Sequence, residues 1–125
     1  MFKSSHRKTA VSLAILTALV GCIPFVTTAQ GSRYSLTLVN TSGYTIDEIY
    51  LSSSELDVWG QDLLGNRTLP SGSRFTITDI EPGEYDVKLV DQDGDSCKMR
   101  RQNVFRNLSW GVSESWLLSC EFRGR

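Results

Sequence analysis

The chain has 125 residues, with 13 basic and 14 acidic side chains, one histidine and three cysteines. That length supports one domain around one modest core, and so even a charge balance argues against nucleic acid as a partner. The only histidine, His6, lies near the N-terminus, which leaves the rest of the chain without an imidazole for zinc ligation or for activating a serine.

Chain order begins with an address. Lys3, Arg7 and Lys8 precede the apolar run 10–20, which is too short to cross a bilayer and matches the core of a signal peptide. Leu19-Val20-Gly21-Cys22 is similar to a bacterial lipobox, which predicts a signal peptide over 1–21 and a lipidated Cys22. Segment 22–32 then reads as a short tether and 33–125 as the domain, held on a bacterial membrane surface by its lipid anchor. The alternative is cleavage after Ala29, within Thr27-Thr28-Ala29-Gln30, which gives a soluble periplasmic or secreted form. Loss of Lys3, Arg7 and Lys8 leaves 10 basic against 14 acidic groups, a net charge of about −4. Residues 96–125 nevertheless hold six basic groups and two acidic ones. These six are Lys98, Arg100, Arg101, Arg106, Arg123 and Arg125, read either as solvated strand faces or as a patch toward anionic envelope polymer or lipid.

From Tyr34 onward the apolar period is two. Tyr34, Leu36 and Leu38 alternate with polar or small neighbours before the turn Asn40-Thr41-Ser42-Gly43. A second strand spans 45–52, its parity slipping near Asp47 and Glu48 as a bulge requires. Phe75 and Ile77 mark a third strand, and Tyr85, Val87 and Leu89 a fourth after Glu81-Pro82-Gly83. Asp91 to Asp95 turns the chain into a fifth at 96–104, and Trp116, Leu118 and Cys120 alternate as a last one. No convincing amphipathic helix follows the signal segment. The expectation is an all-β, single antiparallel sandwich, immunoglobulin-like or similar, of about six or seven strands. The asparagines of three sequons, Asn40, Asn66 and Asn107, read as turn residues.

The most distinctive stretch is Trp59-Gly60-Gln61-Asp62-Leu63-Leu64-Gly65, followed by the turn Leu69-Pro70-Ser71-Gly72. Together with Asn40 to Ile46, Tyr85-Asp86-Val87 and Asp91 to Asp95, it resembles a family of small exported bacterial β-domains carrying a WGxDLLG motif. The resemblance covers about residues 38–95 and implies a fold rather than an activity.

Two readings of the motif stand side by side. In one, Trp59 caps the end of the core and Asp62 accepts hydrogen bonds from amides of its own loop. In the other, Trp59 is exposed and joins Tyr50 or Trp110 as a stacking platform for sugar rings. Asp91, Asp93 and Asp95 offer oxygens to a weak calcium site, but the EF-hand positions at Ser96 and Gln102 are wrong, and Asp93-Gly94 is a hairpin signal. No other cofactor is expected. Cys97 and Cys120 read as one disulfide, worth about 3 kcal/mol on the chain-entropy account, with two buried free thiols as the alternative. No nucleophile has an evident base, so the chain reads as a non-enzymatic envelope module whose partner is an envelope protein or glycan.

Overall fold

The computed structural model describes residues 26–123 together with the isolated positions 21 and 24, and for 121–123 the backbone alone. Cys22 and nearly all of the expected signal segment lie outside the described residues. Among the described residues, six strands and one helix occur in this order: β1 (Tyr34–Asn40), β2 (Ile46–Ser53), β3 (Arg74–Ile80), β4 (Gly83–Asp91), β5 (Ser96–Val104), β6 (Leu108–Val112) and α1 (Glu114–Arg123). They form two three-stranded sheets, β3-β1-β6 and β2-β4-β5, so the expected all-β class holds apart from one short helix.

Alternation decides which face of β1 is buried, and in β2 and β4 the buried set shifts at a register irregularity. Leu36 and Leu38 of β1 are fully buried, as are Ile49 of β2 and Val87 of β4, with Leu89 at 1% exposure. Cys97, Val104 and Val112 join them from β5 and β6, so both sheets feed one core. Burying each of these aliphatic side chains contributes on the order of 2 kcal/mol before entropy is counted. The parity slip in β2 appears as a register shift between Ile46 and Glu48.

Two elements differ from the expectation. β6 lies parallel to β1, with Leu38 beside Trp110, so the pairing is mixed rather than wholly antiparallel. The stretch Trp116 to Cys120 is helical, not a last strand. Ser113 caps α1 by accepting the Trp116 amide on its hydroxyl (3.3 Å) and the Leu117 amide on its carbonyl (3.1 Å), with Glu114 in the first turn where the dipole favours an acid. Leu117 is buried, and Trp116 and Cys120 are placed four residues apart, one helical turn, beside it. Cys97 of β5 and Cys120 of α1 sit at disulfide distance, their Cα atoms 5.4 Å apart.

Candidate functional site

The segment between β2 and β3 is bound down at both of its ends. Leu69 and Ile46 exchange both backbone hydrogen bonds, at 2.8 and 3.0 Å. Closer to the tryptophan, the Leu63 amide donates to the Ile49 carbonyl, while Asp62 Oδ1 accepts from the amides of Ile49 (2.9 Å) and Leu64 (3.0 Å). Asp62 therefore stitches the loop to the outer edge of β2 as well as closing its own turn. An edge strand covered this way presents fewer free amides for unwanted pairing. Leu64 and Leu69 enter the core, and Gly65, at φ +60, supplies the left-handed residue between them.

A second knot sits where β1 ends. Asn40 is fully buried; its amide donates to the carbonyls of Tyr44 (2.8 Å) and Leu69 (2.9 Å), and its oxygen accepts from the Ser42 amide and hydroxyl. Of the other sequon asparagines, Asn107 accepts the Ser35 amide at 3.0 Å. Asn40 and Asp62 thus serve the loop's architecture.

Trp59 is placed differently from the core-capping expectation. Leu64 and Leu69, not Trp59, fill the core, and Trp59 is half-buried among basic side chains of the β2-β4-β5 sheet. Lys88 Nζ is 5.4 Å from its ring centroid, Lys98 Nζ 6.0 Å and Arg100 Cζ 5.8 Å, all within cation–π reach. Lys88 Nζ also stands 4.1 Å over the Tyr50 ring, so one lysine links the two aromatics. Register explains the cluster: Tyr50 pairs with Lys88, and Lys88 with Lys98, so the three form one row across three strands. The Tyr50 hydroxyl donates to Glu48 Oε2 at 2.6 Å, and that bond, with burial and the charges of Glu48 and Asp62, pushes the phenol up to about 12. Trp110, the other proposed platform residue, belongs to β6 in the other sheet and packs against the core.

Arg100 is held by a buried acid. Asp86, 4% exposed, pairs with the Arg100 guanidinium at 2.6 Å and accepts from the Ser54 hydroxyl (2.7 Å) and the Arg101 amide (2.8 Å). Burial alone would raise this carboxyl. The Arg101 amide, the Ser54 hydroxyl and Arg100 together outweigh it and hold the group down at about 2. Arg101 itself takes φ +55, where the β4–β5 register shifts near Val87. The Asp86 carboxylate accepts its amide at that irregularity and so sets the course of β5 beneath Trp59.

The acidic hairpin between β4 and β5 is closed from within. Asp91, 3% exposed, accepts the amides of Asp93 (2.9 Å) and Asp95 (3.1 Å) on Oδ1, and Gly94 takes φ +84. Asp93 and Asp95 are exposed, and among the described residues no three His, Cys, Asp or Glu side chains are grouped to hold a metal ion. An open depression of about 500 Å³ lies at the opposite end of β4, by its turn from β3, lined by Ser53, Glu55, Glu81, Pro82, Glu84 and Tyr85. Arg33 pairs with Glu81 there at 2.9 Å. The convergence of Lys88, Lys98 and Arg100 on Trp59 was not readable from local sequence; Lys98 and Arg100 belong to the basic excess after residue 95, and Lys88 lies outside it.

No family profile and no curated protein matches the chain. Among solved structures, an NMR structure of a protein from Eubacterium rectale is similar, with a TM-score of 0.51 at 14% identity, over 65% of this chain and 77% of that one. That likeness concerns the fold alone.

Proposed function

We propose that the chain is an exported, non-enzymatic interaction module: a β-sandwich built from the two sheets, carried out by the signal peptide 1–21 and tethered to a bacterial membrane surface through Cys22. Release after Ala29 is the soluble form of the same reading. A disulfide between Cys97 and Cys120 fits an oxidising compartment, and the 5.4 Å Cα separation supports it. The membership suggested by the WGxDLLG stretch belongs to the same reading.

The observation that carries it is the position of Trp59. A large aromatic side chain left outside the core, on a loop tied at Ile46, Ile49 and Asn40, is displayed on a rigid support. Such placement favours recognition of an envelope glycan or protein over a purely structural loop. Mass spectrometry of the mature N-terminus from membrane and soluble fractions tests the reading. Acylated Cys22 in the membrane fraction is expected, or an N-terminus at Gln30 in the soluble one. Full-length chain in the cytosol, with Cys97 and Cys120 both alkylatable, would overturn it.

A further inference from the structure

The geometry points to an acidic polysaccharide as the ligand of the β2-β4-β5 sheet, bound by Lys88, Lys98 and Arg100 gathered around Trp59 and Tyr50. This rests on the reading of Trp59 as a displayed recognition residue. Like charges directly opposite one another on neighbouring strands repel, yet Lys88 and Lys98 are cross-strand partners, and Arg100 lies on the same ring. Three carboxylates stand near, Asp86, Glu48 and Asp62, but among the described residues only Asp86 forms an ion pair within the cluster, to Arg100. Asp86 is committed to Arg100, Ser54 and the Arg101 amide, and Glu48 holds the Tyr50 hydroxyl. Neither lysine forms an ion pair among the described residues. The ring quadrupole of Trp59 offsets part of the repulsion and holds the cations in place, which organises the cluster in advance of any ligand.

Charge complementarity selects an anion, and the surroundings select its kind. The mature chain carries a net charge of about −4, so a densely charged duplex or a broad anionic vesicle would spread from this patch onto acidic surface. A polymer with a single carboxylate on each sugar ring places its charges locally. One or two of them reach Lys88, Lys98 and Arg100, while ring C–H edges lie against Trp59 and Tyr50. Arg100 is positioned for this without losing its partner, because its side chain remains 56% exposed while paired with Asp86.

Polygalacturonate is the probe, followed by calorimetry and by tryptophan fluorescence of the full chain, with dextran and phosphatidylglycerol vesicles as comparators. Polygalacturonate is expected to bind, to weaken at high salt, and to lose about tenfold or more in affinity in the K88Q/K98Q variant, whose surface substitutions leave the fold intact by thermal melting. W59F, which keeps an apolar ring but a weaker cation–π partner, is expected to bind less tightly than the parent chain. Equal binding of dextran, unchanged affinity in K88Q/K98Q, or binding to vesicles in place of polygalacturonate would overturn the assignment. An exported chain that ignores polygalacturonate defeats this inference alone, whereas a cytosolic, uncleaved chain defeats the interaction-module reading.

Discussion

Asp86 is the residue on which the basic cluster turns. Its carboxyl lies at about 2 in the folded chain against an ordinary 3.8, so the folded state binds its proton less readily than the unfolded state does. A carboxyl depressed in this way adds stability above its unfolded value and loses it as the pH falls through the folded one. The contribution is on the order of 1 to 2 kcal/mol, discounted because the Arg100 partner is more than half exposed and screened by solvent. Urea unfolding of the parent chain and of D86N should therefore differ most above about pH 4 and converge toward about pH 2. A difference that stays constant across that range would contradict the assignment. Tyr50 provides a second check at the same scale. Ultraviolet titration should show the Tyr50 phenol ionising near 12, and E48Q should return it toward 10.0, because a neutral amide oxygen is a weaker acceptor and carries no charge to hold the proton.

Helix α1 depends on what ties it to β5. It is a ten-residue helix, too short to persist alone in water, and its anchors are buried Leu117 and the Cys120 contact with Cys97. Replacing both cysteines by serine should cost about 3 kcal/mol if the two are bridged, and should raise amide exchange over 114–123 well above that of β1 and β4. Unaltered melting and exchange would show that the bridge is not formed. This helix is also where sequence reading failed, for a physical reason. Trp116, Leu118 and Cys120 alternate like a strand, but the inward set is Trp116, Leu117 and Cys120, and the deciding signal was Ser113-Glu114 as cap and first turn. β1 to β5 were legible because hairpins and turns such as Asp93-Gly94 punctuate a period of two that slips only at local irregularities such as Ile46 to Glu48. β6 was not, since a parallel partner brings no turn signal, and Leu36 to Asn40 reach Leu108 to Val112 only through the tertiary fold. The site divided in the same manner. Asp62 was readable as a loop tie, while the cations around Trp59 come from positions 29, 39 and 41 residues further on, beyond any local pattern.

Across the whole molecule, β1 is the central strand of its sheet, flanked by β3 and by β6, so the first strand made is completed by the last. Its partners lie far along the chain, and closing such loops before any contact forms is slow. Refolding followed by tryptophan fluorescence should accordingly fall in the millisecond-to-second range typical of non-local β-folds. The same topology makes the C-terminal region structural as well as peripheral. Truncation after Val104 would strip β6 from the edge of β1 and remove Val112 and Leu117, both buried, from the shared core. Losing two aliphatic core side chains costs several kcal/mol by itself, a large part of the 5 to 15 kcal/mol that holds a small domain together. Exposing the backbone of β1 along a whole edge adds an aggregation-prone strand to that loss. The truncated chain should give no cooperative thermal transition and should precipitate or be degraded, even though β1 to β5 and the Trp59 cluster are all retained in its sequence. A soluble truncation melting cooperatively near the parent temperature would mean that β6 and α1 are ornaments on an independent five-stranded unit.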